Sequence, residues 1–175
     1  MRVSAKADYA ARAAAELSRA TDKPIKADRI AEAQDIPAKF LETILLELKH
    51  AGIVRSQRGP DGGYTLARPA EEISVADVIR AVDGPLANVR GDRPENMEYA
   101  GAAEPLTDVW IAVRAALREI LEKTTLAHLR DHRLPPHVSK LADDPEAWVS
   151  LGRIRGAAPT GGRRGAQPKV SSAKS

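Results

Sequence analysis

Two short runs of this chain gather side chains suited to the edges and backbone of a nucleic acid. The first is Ala38, Lys39, Glu42 and Thr43, in PAKFLETILLELKH. Read as a helix, that segment turns these four residues outward near its N-terminus, the end that reaches deepest into a major groove. Lys39 can donate to guanine or to phosphate, and Glu42 can accept from the amino group of cytosine. A carboxylate facing phosphates is otherwise a repulsive choice, which marks Glu42 as a reader; the competing reading is an ordinary solvated helix face. The second run is Ser56, Gln57, Arg58 and Gly59, followed by Gly62 and Gly63, in RSQRGPDGGY. Ser56 and Gln57 can hydrogen-bond phosphates, and the backbone N–H groups of Gly62 and Gly63 can do the same. Arg58 suits a minor groove, whose negative potential attracts guanidinium, and the glycines leave room for close approach. A glycine-rich loop can instead cradle a nucleotide, but that kind opens a helix and carries Lys-Ser or Lys-Thr. This one opens a strand at Tyr64.

The elements that hold these runs follow from periodicity. Phe40, Leu41, Ile44, Leu45 and Leu48 form one apolar stripe, and Lys49, His50 and Gly52 give the helix a basic end and a closing residue. Ile53 and Val54 then lead into one β-prone run, and Tyr64, Thr65 and Leu66 into the next. Upstream, Ser4 can cap a helix carrying Tyr9, Ala10, Ala13, Ala14 and Leu17 on one face, whose small residues admit a close neighbour. Residues 21–24 are a polar break, and Lys26 to Ala33 is a second helix with Ile30 and Ala31 inward. Pro37 suits the first turn of the next helix. The order is helix, turn, helix, hairpin.

Downstream, Ser74 and Asp77 form a capping-box-like start for a helix with Val75, Val78, Ile79 and Val82 inward, closed by Gly84-Pro85. Leu86 to Glu104 reads as a long loop. Pro105 opens the longest periodic segment, with Leu106, Val109, Trp110, Val113, Leu117, Ile120 and Leu121 in one seam. A seam of about four turns has no obvious cover elsewhere in the chain and is costly to leave wet, so it predicts a second copy of the chain. Thr124 or Thr125 can cap one more turn above Leu126 and Leu129. From Asp131 the pattern dissolves, apart from a possible turn of helix around Trp148, into a basic Gly-, Ala-, Pro- and Ser-rich tail. Such a composition predicts disorder. The expected division is therefore a DNA-binding head at 1–84 with its wing at 53–68, an effector loop at 85–104, a dimerisation helix and short terminal helix at 105–130, and a disordered basic tail at 131–175. The fold class is mainly α with a small β-wing.

Composition narrows the function. The chain has 175 residues, a net charge of +3 and a pI near 9.3, which permits nucleic-acid binding without requiring it. It has no cysteine, which removes disulfides, thiolate-bound zinc and cysteine-ligated iron–sulfur clusters. No run approaches the roughly 20 apolar residues of a membrane span, and the N-terminus has no apolar leader core, so a cytoplasmic protein is expected. The four histidines, His50, His128, His132 and His137, fall in no HExxH or nucleophile-elbow frame. His132, His137 and Asp131 are ligand types in a loose polar segment, where solvated side chains are the usual outcome. The expectation is no catalytic residue, no metal and no cofactor.

In MRVSAKADYA, PAKFLETILLELKHAGIVRS, RGPDGGYTLAR, ISVADVIRAVDG and TTLAHL the chain resembles the Rrf2 family of bacterial transcriptional regulators, over about residues 1–130. The resemblance implies a homodimer with two winged helix-turn-helix heads, joined mainly by the long helix, that binds a palindromic site on double-stranded DNA and usually represses. It matches Glu42 to the recognition-helix acid that discriminates operators, and Arg58 to the wing arginine directed at the minor groove. Many members hold an iron–sulfur cluster through three cysteines and a histidine in the loop before the dimer helix. Here that loop has no cysteine, and Asp108 stands near the histidine's place; some members recruit an acidic residue from the first helix, where Asp8 lies. The alternative the resemblance leaves open is an interaction adaptor that senses through a partner enzyme or small ligand. The effector is unknown, and the loop between Leu86 and Glu104 is the expected place for its contact.

Overall fold

The computed structural model describes residues 3–20 and 23–149. The first five elements are α1 (Ala5–Leu17), α2 (Ala27–Gln34), α3 (Ala38–His50), β1 (Val54–Gln57) and β2 (Gly63–Leu66), and the rest are α4 (Val75–Asp83), α5 (Leu106–Leu121), α6 (Leu126–Arg130) and α7 (Pro136–Ala142). The mainly helical fold with one small antiparallel sheet is the one the periodicity predicts. Local chemistry sets the boundaries. Ser4 accepts from the Ala7 N–H at 2.9 Å to start α1, and Ser74 and Asp77 close a reciprocal capping box on α4. Thr125, rather than Thr124, caps α6, with His128 as its reciprocal partner.

The core lies between α1, α3 and α4. Ala7, Ala10, Ala13 and Ala14 are all buried, so α1 lies in the centre of the head with its neighbours close on both sides. Leu41, Ile44, Leu45 and Leu48 fill the space beneath it together with Leu17, Ile30 and Val78. Phe40 departs from the expected stripe and is 59% exposed. It sits at the flank of the stripe shared with Glu47, and its ring meets that of Tyr9 edge-on, at a centroid distance of 6.3 Å. The turn between α2 and α3 is clamped from α1: Arg12 donates to the Gln34 carbonyl at 2.7 Å, and Gln34 donates to Glu16 at 2.7 Å.

Two long-range closures have no local signature in the sequence. Ile25 pairs with Tyr64 through two backbone hydrogen bonds of 2.8 and 2.9 Å, which ties the wing to the segment before α2. Further on, Ser74 bridges Thr125, and Leu126, which donates to the Ile73 carbonyl, is completely buried in the head core. The expected head boundary at 84 therefore falls short, because α6 returns to finish the core. The expected tail also begins too early: Pro136–Ala142 is helical, and Pro145–Trp148 forms a 3-10 turn. The part of that tail from residue 150 onward lies outside the described residues.

The long helix is different. No residue of α5 is buried. Its C-terminal end is held by the Ser74–Thr125 bridge just beyond it. Its N-terminal half is held by the preceding loop: Trp110 Nε1 donates to the Tyr99 hydroxyl at 3.1 Å, and Thr107 donates to the Met97 carbonyl at 3.0 Å. The structure divides the predicted seam. Leu117 and Leu121 turn toward the head and, with Val3, Ala7, Ile79 and Leu86, line an apolar cavity of about 440 Å³. Leu106 and Val109 stay exposed, Val109 at 46%.

Candidate nucleic-acid interface

Ala38, Lys39, Glu42 and Thr43 are all exposed on the N-terminal half of α3. The first turn of α3 contains no acidic residue. The positive end of its macrodipole is thus not neutralised from within, which makes it attractive to an anion. Among the described residues, Lys39, Glu42 and Arg58 take part in no ion pair. Three charged side chains left free in this way contrast with α1, where Asp8 pairs with Arg12 at 3.0 Å and Lys6 with Glu47 at 3.0 Å.

The wing is a two-stranded ribbon in the register Val54↔Leu66 to Gln57↔Gly63. Ser56, Gln57, Arg58 and Gly59 are exposed, and Arg55 donates across the ribbon to Thr65 at 3.0 Å. The tip is shaped by sterics. A Cβ on Gly62 would fall 2.4 Å from the Gln57 carbonyl oxygen, and one on Gly63 2.5 Å from that of Ile25. Both distances are far inside van der Waals contact, so these positions accept only glycine without a shift of backbone. Gly62 is also buried, and its N–H donates to the Gly59 carbonyl at 3.0 Å, while Gly63 pairs with Gln57. The sequence reading of the Gly62 N–H as an outward donor is corrected accordingly: that group is spent inside the turn.

The structure adds residues that sequence reasoning missed. Lys23 and Lys26 share a cleft of about 500 Å³ with Gln57, Pro60, Asp61 and Gly62. The Ile25–Tyr64 pairing carries them beside the wing tip. Their only advance signal was a β-branched residue between two lysines, where the polar break read at 21–24 meets the helix read from Lys26.

Several carboxylates and imidazoles of the loop and the C-terminal segment are engaged by other groups. Asp92 accepts from the Arg93 N–H and from Asn96, which hold its carboxyl below the usual range, the backbone donor contributing most. Glu95 is also held low, first by its own backbone N–H and then by Arg114. Asp131 pairs with Arg130 at 2.7 Å, and His137 Nε2 lies 3.0 Å from the Glu119 carbonyl oxygen. Among the described residues, no three His, Asp or Glu side chains gather as a metal site. With no thiolate anywhere in the chain and Asp92 and Glu95 of the loop committed to nitrogen donors, this donor set does not fit an iron–sulfur cluster.

A helix-turn-helix whose second helix runs into a glycine-tipped ribbon defines a winged helix-turn-helix DNA-binding module of the kind transcriptional regulators use. Comparison with known proteins gives the same class. The family model described as "Rrf2: Iron-dependent Transcriptional regulator" matches residues 3–132, and the chain belongs to this family. It is 51% identical over 151 residues, covering 86% of this chain and 94% of the other, to Rv1287 of Mycobacterium tuberculosis strain H37Rv, assigned by name to the HTH-type transcriptional regulators. The structure of CymR, "the Global Cysteine Regulator of B. subtilis", aligns with a TM-score of 0.64 at 30% identity, over 75% of this chain and 98% of that one. IscR of T. potens aligns with a TM-score of 0.59 at 29% identity, over 87% and 94%. These relatives are transcriptional regulators rather than enzymes. Among the described residues, no helix is long and apolar enough to cross a membrane.

Proposed function

We propose that the chain is a cytoplasmic homodimeric repressor that reads a palindromic site on double-stranded DNA. In this reading α3 enters the major groove, with Lys39 on guanine or phosphate and Glu42 selecting cytosine, while Ala38 and Thr43 line the approach. Ser56, Gln57 and Arg58 carry the wing onto the backbone and into the neighbouring minor groove, across the exposed Gly59. Gly62 and Gly63 act by shaping the tip. Lys23 and Lys26 add phosphate contacts beside it. The observation that carries the reading is that one head holds both an α3 N-terminus with no acid in its first turn and with Lys39 and Glu42 unpaired, and a wing whose Arg58 is also unpaired among the described residues.

A palindrome requires two heads. One flank of α5, with Leu106 and Val109 exposed and Val113 and Ile120 half-buried, supplies the apolar surface on which a second copy packs, with Trp110 held beside it by Tyr99 and Leu117 and Leu121 turned toward the head. Two copies related by a two-fold axis would bury the same strip twice.

The test is a fluorescence titration against DNA from upstream of the protein's own coding sequence. Arg58→Ala is expected to weaken binding about tenfold and to lower the salt slope by about one, as loss of a single groove-directed cation should. Glu42→Ala is expected to relax discrimination at one base pair, with about 1–3 kcal/mol less selectivity. If both variants bind like the wild type, the residue assignment is wrong. If no salt-dependent DNA affinity exists and a stable complex with another protein co-purifies, the adaptor reading takes its place.

A further inference from the structure

Four arginines from three elements converge where α4, the loop after it and α5 meet. Arg80 of α4, Arg93 of the loop, and Arg114 and Arg118 of α5 line one cleft of about 210 Å³, together with Glu95. Their neutralisation is incomplete. Arg114 pairs with Glu95, and the single carboxylate of Glu122 is divided between Arg80 and Arg118. Asp77 faces Arg80 at 3.9 Å with one carboxylate oxygen while its other oxygen accepts from the Ser74 N–H in the α4 capping box. Arg93 has no carboxylate within ion-pair distance among the described residues. Four guanidinium groups therefore face three carboxylates, those of Asp77, Glu95 and Glu122, and the cleft keeps an excess of positive charge. Arg114 is the least solvated of the paired arginines, its side chain 19% exposed against 34% for Arg80 and 51% for Arg118. Like charges held together away from water repel, and a multiply charged anion among them relieves that repulsion.

We infer that this cleft is a binding site for a small oxyanion carrying two negative charges, of the phosphate-ester or dicarboxylate class. Guanidinium forks match both chemistries with paired N–H donors, and here several forks converge on one small volume. Counted at roughly 3.6 residues per turn, Arg114 and Arg118 lie roughly 130° around α5 from the centre of the flank formed by Leu106, Val109, Val113 and Ile120. A second copy packed on the apolar flank therefore leaves the cleft open. A ligand held by Arg80 on one side and Arg114 on the other fixes α5 against the head, which gives it a route to the spacing of two heads. That regulatory consequence rests on the DNA-binding reading above; the binding itself does not.

The test is calorimetric titration of the full-length protein, without DNA, using inorganic phosphate or succinate at matched ionic strength over a chloride background. Saturable binding of one anion per protomer at millimolar concentrations is expected for at least one of them, and the one that binds identifies the chemical class. Arg93→Ala and Arg118→Ala each weaken it about tenfold. Arg133→Ala, which removes the same charge outside the cleft, changes it less than about twofold. Circular dichroism melting of Arg93→Ala should match the wild type, because Arg93 is exposed and unpaired. Absence of saturable heat with both anions, or equal weakening by Arg133→Ala, overturns the assignment. DNA affinity is measured separately on anion-free protein, so its loss leaves the calorimetric result standing.

Discussion

The head and α5 use apolar residues in opposite ways. In α3, Leu41, Ile44, Leu45 and Leu48 are buried against α1, and the outward face is left to polar and charged groups plus the exposed Phe40 and Leu46. In α5 an apolar seam at least as long reaches full burial at no position, and part of it stands off from the head across a cavity. Both helices look alike as sequence, with leucines, isoleucines and valines at three- and four-residue spacing. The head is complete within one chain, whereas α5 leaves Leu106, Val109 and Ile111 exposed. An amphipathic pattern thus establishes that a face will be buried without saying by what.

That contrast can be broken most sharply inside the head. Leu45→Ala removes a fully buried side chain from a packed site, and a loss of about 2–5 kcal/mol in urea unfolding is expected. A change near zero would mean that the core around α3 is looser than its burial implies. Next comes Val109→Glu on α5, which adds a charge to the exposed flank. Sedimentation equilibrium should show the dimer dissociation constant raised at least about tenfold, with an unchanged far-ultraviolet dichroism spectrum. A monomeric wild type would refute the paired arrangement outright. The smallest effect probes the polar fastening of α6 to the head, where Arg130 pairs with Glu71 at 3.0 Å as well as with Asp131. The Glu71 carboxyl is held below its ordinary value of 4.5, first by its own backbone N–H and then by Arg130. A carboxyl with a depressed folded-state pKa adds stability above its ordinary value and loses it as the pH falls through the lower folded value. Glu71→Gln should therefore unfold slightly earlier than the wild type at neutral pH, and the two curves should converge as the pH drops below that ordinary value.

What the sequence made legible was local. Ser4, Ser74 with Asp77, and the spacing of Leu41, Ile44, Leu45 and Leu48 each encode their element within a few residues, and the structure places these elements as read. Phe40 shows the limit of periodicity, which gives the direction of a stripe better than its width. Pro136–Ala142 was missed because a short polar helix has almost no apolar period to read. The larger omissions were long-range. Nothing near Ile25 announces Tyr64, so Lys23 and Lys26 could not be assigned to the wing tip. Arg80, Arg93, Arg114 and Arg118 span almost 40 positions of chain, and only the packing of α5 beside α4 brings them to one cleft. The exposed residues of α3 and the wing were legible because a helix end and a hairpin tip fix outward direction on their own.

The burial of Leu126 also bears on the order of events at the ribosome. The wing and α4 are synthesised by residue 83, yet the core beneath them stays open until a residue more than 40 positions later arrives to fill it. Domains generally fold as their segments emerge, N-terminal parts first. Here the head cannot finish before α5 has left the exit tunnel, and a chain broken off between α4 and α6 would carry a head with a hole in it. Premature termination thus yields an unstable fragment open to proteolysis, rather than a lone head able to occupy DNA in competition with the full-length protein.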